Sequence, residues 1–130
     1  MPSPTTTDAI AFLPAADLEA TSAFYSGKLG LRLAVDQGSC RIFQAAERAF
    51  FGFCAHLPVL SNPESVILTL VTDDPEAWHR RCAEAGIETD GPPRFNEKFG
   101  ILHFFASDPN GYRVEFQRFA DPGWNCARDG

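Results

Sequence analysis

Ser107-Asp108-Pro109-Asn110-Gly111-Tyr112-Arg113-Val114-Glu115-Phe116 is a turn signal that runs directly into an alternating strand. Pro109 fixes φ and Asn110-Gly111 tolerates positive φ, so the chain is expected to reverse here. Beyond the turn, period-two alternation puts Tyr112, Val114 and Phe116 on one face and Arg113, Glu115 and Gln117 on the other. A strand that is apolar on one side and bears Arg, Glu and Gln on the other can wall a polar cavity. Glu115 is therefore the residue around which a functional site is sought.

Working outward, the chain echoes itself. Residues 9–16 predict a strand, and Asp17 follows as the expected N-cap of a helix. Ala20, Phe24, Tyr25 and Leu29 recur at helical spacing, Gly30 stops the helix, and Leu31 to Val35 predicts a strand. Val66 to Thr72 is a second β-branched strand, and Asp73-Asp74-Pro75 opens a second helix that carries Trp78, Cys82 and Ala85 on one face. Gly86 ends that helix before Ile87 begins a strand. Each copy is followed by two more strands, at 40–45 and 49–54 in the first half and at 100–107 and 111–119 in the second. The expected fold is α+β: two βαβββ modules forming a curved mixed sheet around a cleft, with helices on the outer face. A single domain spans 1–130, with module one at about 8–56, a Pro- and Ser-containing linker at 57–64, module two at about 65–119 and a tail at 120–130. Gly91 to Gly100 reads as the longest irregular loop, suited to facing or gating a ligand.

Composition narrows the function classes. A chain of 130 residues buries roughly two thirds of its unfolded surface as one domain. A net charge of −6 is opposed to a nucleic-acid surface, which needs clustered Lys and Arg, and would suit a cationic ligand. Met1 to Thr7 has neither a basic nor an apolar region and reads as a short flexible lead; no run reaches membrane-spanning length, so no membrane partner and a cytoplasmic location are expected. Cys40, Cys54, Cys82 and Cys126 form no C-x-x-C pair and are expected to be free thiols in a reducing compartment. No nucleophile elbow, P-loop or dinucleotide fingerprint occurs.

Two stretches together resemble the vicinal oxygen chelate superfamily, which contains glyoxalase I, bleomycin-resistance proteins, fosfomycin-resistance enzymes and extradiol dioxygenases. Phe12-Leu13-Pro14-Ala15-Ala16-Asp17-Leu18, followed by Ala23-Phe24-Tyr25 and Leu29-Gly30-Leu31, looks like its first module. Asp108-Pro109-Asn110-Gly111-Tyr112-Arg113-Val114-Glu115-Phe116 is similar to its second-module signature. The resemblance covers residues 8–119 and implies a divalent metal held in the cleft of the enzymatic members. Carried over one position at a time, the implied ligands fall at Ile10, at Ile67, at Gly52 or Phe53, and at Glu115. Only Glu115 carries a donor atom, whereas catalytic metals commonly take about three protein ligands. No catalytic residue, metal or other cofactor is therefore expected; a site using Glu115 with His56, and at the limit His103, is the alternative. A homodimer is expected by the same resemblance.

The individual residues leave some choices open. Glu115 either stabilises the cleft wall, by pairing with Arg113 or a neighbouring strand, or meets a ligand directly. His79 reads as solvated helix surface and His56 as a loop residue at the mouth of the linker. If the strand at 100–107 pairs with 111–118 as a hairpin, Leu102, Phe104 and Ala106 are expected on the face of Glu115 and His103 on the opposite one, against the helix layer. The chain has 12 Phe, of which Phe43, Phe50, Phe51 and Phe53 crowd one hairpin and Phe95, Phe99, Phe104 and Phe105 the other. Phe43, Phe51, Phe53 and Phe104, with Arg113, Glu115 and Gln117 as polar groups and Trp124 as a cap or dangling end, are the expected lining of a small-molecule pocket. The leading expectation is a metal-independent protein that sequesters a small aromatic or cationic compound such as an antibiotic. The alternative is a metal-dependent lyase, isomerase or dioxygenase.

Overall fold

A computed structural model describes residues 3–130; Met1 and Pro2 of the expected lead lie outside the described residues. The chain divides into two compact α+β units, the first ending at Pro63 and the second spanning Glu64–Gly130. In the first, β1 (Ala9–Pro14) leads to α1 (Leu18–Ser22), a π-helical continuation (Ala23–Lys28), β2 (Leu33–Asp36), β3 (Cys40–Ala46) and β4 (Ala49–Cys54). After a 3-10 turn at Pro63–Ser65, the second contains β5 (Ile67–Val71), α2 (Pro75–Glu84), β6 (Arg94–Asn96), β7 (Ile101–Ser107), β8 (Arg113–Phe119) and α3 (Gly123–Asp129). The sheets have matching orders, β1-β4-β3-β2 and β5-β8-β7-β6, each with one parallel outer pair and otherwise antiparallel neighbours. The doubled βαβββ pattern of the sequence is therefore the pattern of the fold.

The same local devices build both copies. The Asp17 carboxylate accepts from the Ala20 amide at 3.0 Å, and that of Asp74 from the Ala77 amide at 3.0 Å, capping α1 and α2. Gly30 and Gly86 take φ of 79° and 74° where the helices end, a conformation that favours glycine.

In the first unit the helical layer packs on one face of the sheet. Tyr25 stacks on Phe53 with ring centres 4.6 Å apart and contacts Phe43 and Phe51; Phe43, Phe53 and Tyr25 are completely buried. Arg41 shares this face, donating to the Leu18 carbonyl and the Ser22 hydroxyl. Phe43, Phe51 and Phe53, expected in a ligand pocket, are thus core residues beneath the helix. The reason is pairing: Phe43 lies opposite Phe51 and Arg41 opposite Phe53, and directly opposed residues share a face.

The second unit repeats this arrangement with α2. Trp78 stacks on Phe116 at 4.9 Å, Phe116 on Phe104 at 5.1 Å, and His79 sets its ring against Phe104 at 5.1 Å. His79 is half-buried, in contact with Thr89 as well as Phe104, and is not the solvated residue expected. Burial also pushes the Cys82 thiol up to about 11, against a smaller opposing effect of Arg81.

Four local expectations change. Ile87 is buried but belongs to no strand, and β6 forms at Arg94–Asn96, inside the segment expected to be irregular. The tail is helical over Gly123–Asp129. Cys40 and Cys54 are not free: they sit directly opposite each other on β3 and β4, Cα atoms 4.1 Å apart, and form a disulfide. Cys82 and Cys126 stay as thiols. Among the described residues no helix is long and apolar enough to cross a membrane.

Candidate functional site

The turn at residues 108–112 decides which residues face Glu115. The Asp108 carboxylate accepts from the Asn110 amide at 2.8 Å and the Tyr112 amide at 2.9 Å, and the Asp108 amide donates to the Tyr112 carbonyl at 3.0 Å. Asp108 and Tyr112 therefore still pair, and the first strand residues beyond them, Ser107 and Arg113, lie opposite each other. This odd connection sets Phe105 opposite Glu115, His103 opposite Gln117, and Phe104 opposite Phe116. The face of Glu115 is thus shared by odd-numbered residues of β7, not by Leu102, Phe104 and Ala106 as expected, because strand residues of like parity lie opposite each other across this turn. Phe104 is core; His103 shares the face of Glu115.

Glu115 is nearly buried, at 7% exposure, and both of its oxygens are engaged. Oε1 accepts from the Thr69 hydroxyl at 2.8 Å, and Oε2 lies 2.7 Å from His103 Nδ1. Thr69 is the direct neighbour of Glu115 across the parallel β5–β8 pair. A buried carboxylate is costly without such partners. With Glu115 ionised, Nδ1 carries the proton it shares with Oε2, because a carboxylate can only accept. Each carboxylate oxygen then keeps capacity for one further donor.

These groups line a cavity of about 500 Å³ within the second unit. Ile67, Phe99, Ile101, Phe105 and Phe119 supply its carbon surface, and Asn96, His103, Glu115 and Gln117 its polar atoms. Phe99 comes from the turn after β6, where its amide donates to Asn96 Oδ1 at 3.2 Å. The segment expected to face a ligand does contribute to the cavity.

The remaining expected site residues go elsewhere. Arg113 stands outside this lining: Nε donates to the Glu64 carbonyl at 3.0 Å, and the guanidinium lies 4.8 Å from the centre of the Phe105 ring. Trp124 stacks on Phe119 at 4.5 Å from α3 and lines a separate cavity of about 430 Å³ with Val71, Arg118 and Arg128. His56 belongs to the first unit, where Nδ1 stands 3.8 Å from Cys40 Sγ, so Glu115 and His56 each have a partner in their own unit. Phe99, Phe105 and Phe119 are the cavity aromatics the sequence reading missed. Counting residues 108–112 as the whole turn would have found Phe105 and His103.

The chain matches the family model of the Glyoxalase/Bleomycin resistance protein/Dioxygenase superfamily over residues 7–116. The chain belongs to that superfamily. Solved structures agree. A glyoxalase/bleomycin resistance protein/dioxygenase from Nocardioides superposes with a TM-score of 0.74 at 20% identity, covering 95% of this chain and 89% of that one. An antibiotic binding protein from Streptomyces reaches 0.71 at 27% identity, covering 88% and 96%. A lactoylglutathione lyase from Agrobacterium tumefaciens also reaches 0.71, at 20% identity and with coverage of 88% and 95%. Among curated proteins none matches the sequence significantly.

The residues present do not fit the divalent metal of the superfamily's enzymes. Ile67 lines the same cavity as Glu115 but offers it only carbon, and Ile10, Gly52 and Phe53 carry no side-chain donor. Glu115 is the one donor among those positions, where a catalytic metal commonly takes about three protein ligands.

Proposed function

We propose that this superfamily member binds a small aromatic compound bearing a positive charge or a strong hydrogen-bond donor, and holds it in the second unit's cavity without a metal. The observation that carries the reading is a buried carboxylate, braced by Thr69 and His103, in a cavity otherwise walled by Ile67, Phe99, Ile101, Phe105 and Phe119. Aromatic walls give a planar ligand contact area, and sparse polar groups fix its orientation. Glu115 gives a cation its counter-charge. An antibiotic is one such ligand, and the Streptomyces antibiotic binding protein supports that class. The same reading takes the protein as a homodimer, with exposed Ile10, Phe12 and Val35 as surface for a second copy. Light scattering tests that point.

The experiment is a fluorescence titration of chelator-treated protein, disulfide intact, with planar aromatic cations and their neutral analogues. Trp124 is a natural reporter through its stack on Phe119, which lines the cavity. The expected result is stoichiometric binding of cations, weakened by roughly tenfold to a hundredfold in Glu115→Gln, the loss expected for a hydrogen bond to a charged group. Equal binding by wild type and Glu115→Gln, or ligand conversion that requires an added divalent metal, would overturn the reading.

A further inference from the structure

The first unit carries a separate cluster that the cavity does not use. Cys40 Sγ, Cys54 Sγ and a ring nitrogen of His56 all lie within 4.8 Å of one another, and among the described residues no other trio of His, Cys, Asp and Glu gathers in this way. The two cysteines are buried at directly opposed positions of β3 and β4, while His56 is exposed in the turn that follows β4. His56 points Nδ1 at Cys40 Sγ from 3.8 Å. Two ligands of one tetrahedral zinc, sulfur at about 2.3 Å and nitrogen at about 2.05 Å, stand about 3.6 Å apart. The imidazole is therefore already near ligand spacing from the sulfur.

The geometry points to a redox-gated zinc site: with the Cys40–Cys54 disulfide reduced, the first unit binds one Zn²⁺ through Cys40 Sγ, Cys54 Sγ and His56 Nδ1. Opening the gate needs a two-electron reductant, such as a dithiol. The dithiol delivers two electrons and two protons, the Cys40–Cys54 bond breaks, two thiols form, and the reductant leaves as its own disulfide. Zinc then displaces both thiol protons, since the ligand is the thiolate. Two thiolates and a neutral imidazole cancel the charge of the ion, and the fourth position is left to water or an external ligand. The disulfide and the metal complex compete for the same sulfurs, so oxidation expels the ion. This site is independent of the Glu115 cavity.

The test uses the full chain in a Cys126→Ser background, which removes the exposed free thiol. Protein reduced with a phosphine and protein left oxidised are each titrated with Co²⁺, then with Zn²⁺ against a chromogenic chelator. The expected result is one equivalent of Co²⁺ bound by reduced protein only, with a sulfur-to-metal charge-transfer band and tetrahedral visible absorption. Zinc should displace the cobalt. Cys54→Ser should remove the charge-transfer band or weaken it sharply. His56→Ala, an exposed change that leaves folding intact, should lower zinc affinity by at least about tenfold. Circular dichroism of the reduced, metal-free protein separates loss of a ligand from loss of the fold. No charge-transfer band in folded, reduced protein, equal binding by the oxidised form, or unchanged affinity in His56→Ala would each overturn the assignment.

Discussion

Where β8 sets Glu115 beside Thr69, β4 sets Gly52 beside Phe12. The two pairs occupy corresponding places in two sheets of the same strand order. In the second unit the neighbour's hydroxyl donates to the carboxylate. In the first there is no side chain to receive anything: a Cβ built on Gly52 would come within 2.5 Å of the Phe12 ring, which lies over that glycine. One backbone plan thus carries an acid–imidazole pair facing a cavity in one copy and an aromatic ring laid on bare backbone in the other. The repeat preserves the strand order and the helix-covered face. The chemistry of the opposite face is set residue by residue.

The largest expected effects fall where the units agree. Phe53→Ala and Phe104→Ala each remove a fully buried ring from beneath a helix and should cost about 3–5 kcal/mol in urea unfolding. A cost below about 1 kcal/mol for either would place that ring on a wettable cavity wall instead of in a core. The disulfide comes next, and it belongs to the first unit alone. Cys40 and Cys54 are 14 residues apart, and chain-entropy reasoning gives about 3 kcal/mol for closing a loop of about that length. Comparing urea midpoints of oxidised wild type and a Cys40→Ala/Cys54→Ala variant measures it. An unchanged midpoint would mean that β3–β4 pairing already supplies the constraint.

Much of this contrast can be read from the sequence. The Asp17 and Asp74 caps, the glycines that end both helices and the alternation through Val114, Glu115 and Phe116 each rest on local chemistry, and each is realised. Glu115 stood out because a carboxylate in an alternating strand needs an explanation. Its surroundings were harder to read because they depend on cross-strand register. One residue of turn length exchanges Phe104 for Phe105 and brings His103 from the helix side to the cavity side. The Phe cluster of the first unit was misplaced for a related reason: both faces of β4 are apolar there, so composition alone cannot say which face meets the helix. The Cys40–Cys54 pairing likewise needed the β3–β4 register, since nothing in their separation of 14 residues identifies them as partners.

Smaller effects probe the corresponding positions themselves. Glu115→Ala leaves buried His103 and the Thr69 hydroxyl without their acceptor and should cost about 1–3 kcal/mol. Thr69→Val removes one donor and should cost about 1 kcal/mol. Gly52→Ala should cost about 1 kcal/mol, the low end for overpacking, because Phe12 is half exposed and its ring can turn aside. Combining Phe12→Ala with Gly52→Ala should recover that cost, and the double-mutant cycle reads the coupling directly. Additive costs would mean that the ring does not need the bare glycine beneath it.

The smallest effect concerns the edge strands. Asp90 grips β6 through Arg94, with contacts of 2.6 and 3.0 Å, and its Oδ1 also accepts from the Phe105 amide at 2.9 Å. In the first unit Asp36 of β2 reaches Arg41 at 3.6 Å. Burial pushes the Asp90 carboxyl up, but the bond from Arg94, the Phe105 amide and the Arg94 charge together outweigh it, so the group lies below its ordinary value. Its contribution to stability is then fully present above the unfolded value, near pH 4, and is lost as pH falls through the depressed folded value. The pair is exposed enough for solvent to screen much of it. Asp90→Asn should therefore change stability little at pH 7 and flatten the acid limb of the unfolding curve below about pH 4. Hydrogen exchange at β6 should rise before exchange at β2 as wild type is acidified over that range. Simultaneous loss of protection at both edges would assign the acid sensitivity to carboxylates other than Asp90.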